Sequence, residues 1–488
     1  MIKAENLTLG HQFGNLYENV NFIVNNNIKA GLVGPNGSGK STLFKAIIGE
    51  IEPTEGKLII SGTLGYVPQE VKTDIQLESS PTLRNYIDPT SSHPDHELSK
   101  ILFGLELANL KLEQSPQNLS GGQKTKLALA KALLAKPDTL LLDEPTNFLD
   151  QKGKKWVMNF LANYPKTLLM ISHDLELLDK YIDKIIFINS QFKTIEEYKG
   201  SYSKYLLTKQ QNEELLKRSV EIEQKHIKKL KKSLTLYDQY SRKKSILAKR
   251  IERLEDALPA LPKEVQKIKI NLPTPSKVGE IPISIKNIFK SYNDKEILSD
   301  FSLSIIRGER IALIGPNGAG KSTIIKILTS ITKPDSGIIT KDENLQIGYY
   351  SQEFETFDFS KTLAQTASEI SGQSELFVRP FLAKFMFTGN KIHQKISTLS
   401  GGEKTRLSIA LIMFSNNNLL ILDEPTTYLD VVSQKVILEA IKAYKGSMLI
   451  VSHTEEFITE LEPDRAVIMP DGLVRHWSPE LVEQISEI

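Results

Sequence analysis

Lys40 and Lys321 each close a glycine-rich phrase: GPNGSGKST over residues 34–42 and GPNGAGKST over 315–323. Glycine at Gly34, Gly37 and Gly39, and at Gly315, Gly318 and Gly320, permits backbone angles and close approaches that a Cβ would forbid. With Asn36 or Asn317 inside the turn, successive N–H groups can converge on phosphate oxygens. The helix opened by Lys40, Ser41 and Thr42, or by Lys321, Ser322 and Thr323, adds the positive end of its dipole. The lysines would reach the β- and γ-phosphates, and Ser41 and Ser322 would offer a hydroxyl to Mg²⁺. The spacing is that of a phosphate-binding loop. A single match could be an ordinary glycine turn; a second copy, again behind a strand-like run, excludes that.

Paired carboxylates supply the next chemistry. LLLDEP carries Asp143 and Glu144, and LILDEP carries Asp423 and Glu424. At a strand end, the aspartates suit Mg²⁺, and the glutamates suit orienting or deprotonating an attacking water, as phosphoryl transfer requires. The plain alternative is a pair of acidic helix starts before Pro145 and Pro425. His173 in ISHD and His453 in VSHT follow apolar runs, where a strand-end side chain could meet a γ-phosphate, although a lone histidine there is more often structural. Ser120, Gly121 and Gly122 in LSGGQ, and Ser400, Gly401 and Gly402 in LSGGE, open helix-like segments. Such turns are anion sites as well as ordinary caps.

The elements that must position these groups repeat. The motifs recur in the same order with an offset of 280 to 283 residues, so the chain of 488 residues is a duplication. The halves are placed at 1–200 and 276–488. IKAGLV, DTLLLD and KTLLMIS, with RIALI, NLLILD and SMLIVS, are continuous apolar runs, the pattern of parallel strands covered on both faces. The expected fold class is α/β: two tandem P-loop NTPase domains joined by a helical hairpin. Hydrophobic content of 40% supports real cores, and no apolar run approaches the roughly 18 residues a membrane helix needs. The first residues, MIKAENLTLGHQFG, lack the apolar segment of a signal peptide. Zero cysteines exclude disulfides and fit a reducing cytoplasm.

The ordered set of P-loop, Gln69, LSGGQ, DEPT and His173, repeated with Gln352, LSGGE, DEPT and His453, resembles the ATP-binding cassette family. The resemblance implies two cassettes packed head to tail, each ATP lying between one P-loop and the other cassette's LSGG turn. One site would join Lys40, Ser41, Gln69, Glu144 and His173 to Ser400 and Gly402. The other would join Lys321, Ser322, Gln352, Glu424 and His453 to Ser120 and Gly122. In this family the glutamines help hold Mg²⁺. An aromatic upstream of the P-loop stacks on adenine; Tyr292 matches it in the second half. The first half has His11 at the aligned position and Phe13 nearby, and the choice between them stays open. Cofactors would be ATP and Mg²⁺, and the chain would be a monomer whose cassettes pair internally.

Residues 201–275 belong to neither repeat. Apolar residues at Leu215, Ile222, Leu230, Ile246, Leu247, Ile251 and Leu254 fall at helical spacings, predicting two helices with a turn near 234–240. From Lys225 to Arg250, ten Lys or Arg stand against one acid, a net +9 in a chain whose total is +2. A solvated helical face is the usual fate of a charge run, but it does not require a single sign. Lys228, Lys229, Lys231, Lys232, Arg242, Lys243 and Lys244 are therefore candidate contacts to a nucleic-acid backbone, with Tyr237 and Tyr240 at the expected tip. Two cassettes, no membrane segment and this linker resemble the ABC-F family. That implies an ATPase that binds ribosomes in its closed state, with the linker approaching tRNA and the peptidyl-transferase centre, and that leaves on hydrolysis. The interval from glutamine to LSGG, 51 residues in the first half and 48 in the second, leaves no room for the long arm of some translation factors. In this the chain resembles the antibiotic-resistance members, although other members lack the arm too. The alternative is the cytosolic ATPase subunit of a separate membrane permease, which would have no need of a basic hairpin. A DNA-repair ATPase would carry far longer coiled coils.

Overall fold

The computed structural model describes residues 1–481 except 12–13, 70–74, 117–118, 147–148, 150, 236–241, 260, 262–271, 293–294, 317, 352–357, 428, 453–454 and 479–480. Asn317, Gln352 and His453 thus lie outside the described residues, as do Phe13, Tyr237 and Tyr240. The side chains of His11, Arg242, Lys243 and Lys244 lie outside them too.

Each half is built on a six-stranded sheet. In the first, the order is Leu64–Val67, Thr139–Asp143, Thr167–Ile171, Lys29–Val33, Lys184–Asn189 and Thr194–Lys199. The first five strands run parallel and the last pairs antiparallel. The second half repeats that order with Ile347–Tyr350, Leu419–Asp423, Ser447–Val451, Arg310–Ile314, Arg465–Ile468 and Leu473–His476. A three-stranded antiparallel sheet flanks each, formed by Ile2–His11, Gly14–Val24 and Glu55–Ile60, and by Ile283–Tyr292, Lys295–Ile305 and Ser336–Lys341.

The uninterrupted apolar strands are explained by two-sided burial. Leu140, Leu142, Leu168 and Met170 enter one core, while Leu141, Leu169 and Ile171 enter the core on the opposite face. Because alternate side chains point to opposite faces, neither face can be polar. Helix Gly121–Ala135 and, in the second half, helix Gly401–Phe414 pack into the cores beneath the LSGG turns. All the strands that carry a motif are neighbours, so their carboxyl ends form one rim, the usual place for a ligand in a parallel sheet.

The linker is a helix of 33 residues, Tyr202–Leu234, roughly 50 Å long at 1.5 Å per residue, packed against a second helix, Arg242–Asp256. Its root is fixed by aromatics. Tyr202 and Tyr205 are buried in the first half's core, Tyr205 lies 5.6 Å from Phe187 and 4.9 Å from Tyr198, and Lys209 Nζ sits 3.6 Å from the Phe187 ring centre. The seam of the hairpin differs from the expected stripe. Val220, Ile227 and Ile251 are buried, whereas Leu215, Ile222 and Ile246 are 63%, 67% and 62% exposed. The spacing argument could not separate two apolar stripes on one long helix; the partner helix covers only one of them. Among the described residues no helix is long and apolar enough to cross a membrane.

Candidate nucleotide sites

Lys29–Val33 delivers the first P-loop to the rim, and helix Lys40–Ile47 leaves it. The turn requires Gly39, which caps that helix at φ 95°, as Gly320 does at the same φ before Lys321–Leu328. Lys40 Nζ donates to the carbonyls of Gly34 at 2.8 Å and Pro35 at 3.2 Å. Lys321 Nζ does the same to Gly315 and Pro316, at 2.6 and 2.9 Å. Both ammoniums are therefore folded back over their own loops, at the mouth where phosphate would lie.

Strand Thr139–Asp143 ends at the carboxylates. Ser41 Oγ donates to Asp143 Oδ2 at 3.0 Å, joining the P-loop to the acidic strand. Glu144 turns away at φ 53° and is buried; its Oε2 accepts the His173 N–H at 3.2 Å, and its Oε1 lies 3.3 Å from His173 Nε2. Burial first, and then Asp143 beside it, pushes the Glu144 carboxyl up to about 8. Burial and then the Lys40 cation depress the His173 imidazole to about 3, so the ring is neutral. Burial likewise raises Asp143 and, in the second half, Asp423. Glu424 repeats the left-handed backbone at φ 52°. Gln69 follows strand Leu64–Val67, half-buried, next to the strand that carries Asp143.

The LSGG turns are fully formed helix starts. Ser120 and Ser400 are N-caps, each in a capping box, with Gln123 and Glu403 respectively. Glu403 is further held by Lys391. Tyr292 ends strand Ile283–Tyr292 43% exposed, with Lys290 Nζ 5.3 Å from its ring centre. Lys228, Lys229, Lys231 and Lys232 are exposed on the long helix, and Lys231 pairs with Glu255 at 2.6 Å.

One residue was missed by sequence reasoning. Asp430 caps helix Val431–Ala443 in the second half, accepting from Ser433 N–H at 2.7 Å, and its Oδ2 accepts the Asn36 N–H of the first P-loop at 2.6 Å. The two halves thus meet at a P-loop. Burial, and then the Asp430 charge, raise the Tyr202 phenol. The repeat of LD after DEPT marked Asp430 in the sequence, but nothing there showed that it faces the other half.

An exposed hydroxyl bonded to a buried carboxyl group, a second buried carboxyl group beside it and a lysine at a loop of N–H groups fit Mg²⁺ and a polyphosphate. The oxygen donors are hard, and burial raises both acids, a cost that a bound cation would offset.

A family model described as ABC transporter matches residues 17–147 and 298–427, and a second model with that description matches 188–272. The chain is 32% identical to the putative ATP-binding protein YdiF of Bacillus subtilis, over 93% of this chain and 78% of that one. It is 33% identical to the ATP-binding protein Uup of Haemophilus influenzae, over 88% and 72%. It is 29% identical to ABC transporter F family member 2 of Arabidopsis thaliana, over 96% and 76%. Among solved structures, a chain from ribosome-bound archaeal Pelota and ABCE1 superposes with a TM-score of 0.66 at 22% identity, covering 97% of this chain and 78% of that one.

Proposed function

The chain belongs to the ABC-F family of tandem ATP-binding cassettes and is an ATP hydrolase, and from that premise we propose that it acts on the ribosome. In this reading it binds in its ATP-closed state, with the basic hairpin directed toward tRNA and the peptidyl-transferase centre, and hydrolysis releases it. The outcome would be modulation of translation or protection from ribosome-targeting antibiotics. Domain limits of 1–200, 201–275 and 276–488 belong to the same reading.

The observation that carries it is the position of the hairpin. Tyr202 and Tyr205 root it in the first cassette's core, so the basic edge is carried on a helix fixed to that cassette. The exposed Lys228, Lys229 and Lys232 offer a phosphate-binding edge. Relatives point the same way: one matched structure has ABCE1 complexed with a ribosomal stalk protein, and another is bound to the ribosome.

Within each composite site the residues have separate tasks. Lys40 and Lys321, now resting on carbonyls, would swing onto phosphate oxygens. Ser41, Gln69 and Asp143, with Ser322, Gln352 and Asp423, would hold Mg²⁺, which when bound supplies charge neutralisation at the β- and γ-phosphates. Glu144 and Glu424, in their ionised forms, would take the proton of the attacking water. The neutral His173 would orient the γ-phosphate or the water, with His453 as its counterpart. Ser400 and Gly402 would close over the first site, and Ser120 and Gly122 over the second. Tyr292 would stack on one adenine.

The test is co-sedimentation of the Glu144→Gln, Glu424→Gln double variant with ATP. Pelleting with ribosomes supports the reading. Pelleting with membranes and not with ribosomes would favour the ATPase subunit of a permease.

A further inference from the structure

Arg406 lies on helix Gly401–Phe414, below the second LSGG turn, and is 4% exposed. Its Nη1 donates to Ser433 Oγ at 3.2 Å and lies 3.0 Å from Met386 Sδ; the guanidinium carbon is 5.3 Å from the Phe387 ring centre. Its Nε has no hydrogen-bond partner among the described residues. The nearest acidic influences, Asp430 and then Glu403, act on it without contact. A cation buried against a hydroxyl, a thioether and a ring is an expensive arrangement compared with a direct ion pair.

The first cassette fills the same place differently. Lys126, 280 positions earlier, pairs with Glu106 at 2.6 Å. Met386 takes the place of Glu106, both in the left-handed backbone region at φ 68° and 59°. Ser433 takes the place of Gly153, where a Cβ would come within 2.3 Å of Glu106 Oε1. The carboxylate therefore needs the glycine, and Ser433 excludes it. The three differences amount to a single exchange.

That exchange links two sites. The Arg406 guanidinium holds Ser433 Oγ, Ser433 N–H donates to Asp430 Oδ1, and Asp430 Oδ2 accepts Asn36 N–H in the other cassette's P-loop. We propose that Arg406 is a positioning residue for ATP cleavage at the site of Lys40 and Glu144, fixing Asp430 through Ser433 and hence the first P-loop. The second site has a lysine–glutamate pair in the corresponding place and no guanidinium link. The inference rests on the composite-site reading.

The experiment measures the single-turnover cleavage rate and ATP half-saturation of the full chain in two backgrounds. Glu424→Gln leaves the site with Glu144 active, and Glu144→Gln leaves the site with Glu424. In the first background Arg406→Met should slow cleavage about tenfold, within the range a small misplacement produces, with half-saturation changed less than about twofold. In the second background the same change should slow cleavage less than about twofold. Ser433→Ala, which removes the hydroxyl that joins Arg406 to Asp430 and keeps the N–H bond to Asp430, should show the same selectivity and keeps the test open if Arg406→Met does not fold. The triple exchange R406K/M386E/S433G restores a paired cation but not the Ser433 hydroxyl, so it should fold and stay as slow as Ser433→Ala; recovery of the parental rate would make packing, and not the link through Ser433, the role of Arg406. Equal losses in both backgrounds would reduce Arg406 to a structural role, and no loss in either would remove it from the mechanism. In both cases the composite sites would stand if the two Glu→Gln changes still slowed cleavage. A loss confined to the site with Glu424 would instead overturn the pairing of cassettes itself.

Discussion

Glu144 and Glu424 are held at φ 53° and 52°, a region that L-residues seldom occupy. Strain of this kind persists where the surroundings over-determine it; here the N–H of each glutamate donates to the end of the neighbouring strand, at Ile171 and Val451, both at 2.9 Å. Replacing both with glutamine should leave ATP binding intact and slow hydrolysis by about 10²-fold or more, the scale of a positioned general base. Normal turnover in the double variant, measured as phosphate release, would remove these carboxylates from the chemistry. Residues whose type alone dictates their chemistry were legible in the sequence: Lys40, Ser41, Asp143 and Glu144 meet at one rim. Asp430 and Arg406 were not. An aspartate at a helix start and an arginine near the start of an apolar helix look ordinary until the packing shows what they face.

At the level of elements, strands were easier to read than helices. A parallel strand buried on both faces must be apolar throughout, so Thr139–Asp143 and Leu419–Asp423 announced themselves. The linker helix is covered along only part of its circumference, and its apolar residues occupy more than one stripe. Only packing decides that Val220 and Ile227 are inside while Leu215 and Ile222 are outside. The aromatic root should be the stronger anchor. Tyr205→Ala should destabilise the attachment of the hairpin by about 3–5 kcal/mol, the scale of deleting a large buried aromatic, and hydrogen exchange should show lost protection from Tyr202 to Lys209. Unchanged protection there would mean that the hairpin is held elsewhere. The LSGG turns give a second prediction at this scale. Replacing Ser400 should impair nucleotide occupancy at the Lys40 site, and replacing Ser120 should impair occupancy at the Lys321 site. Loss at the Lys40 site on changing Ser120 alone would contradict the head-to-tail pairing.

For the whole molecule, the duplication and the concentration of charge in one segment were both readable from order and count, because neither depends on packing. How the halves face each other came from the family resemblance and not from residue types; the bond from Asn36 N–H to Asp430 is a point at which the described residues meet. The proposed role requires the hairpin to carry affinity for a phosphate backbone. Counterion release makes that affinity fall with salt, with a slope near −0.7 to −0.9 per neutralised phosphate. The most direct measurement is therefore ribosome co-sedimentation of the ATP-bound double Glu→Gln protein across a salt series. It is compared with the same protein after neutralising Lys228, Lys229, Lys231, Lys232, Arg242, Lys243 and Lys244. Tight binding by the parent, and a variant whose slope is shallower by about 2 or more with ATP binding unchanged, is the predicted result. Equal affinity and equal slope for the two proteins would make the basic cluster a solvated face and contradict the account.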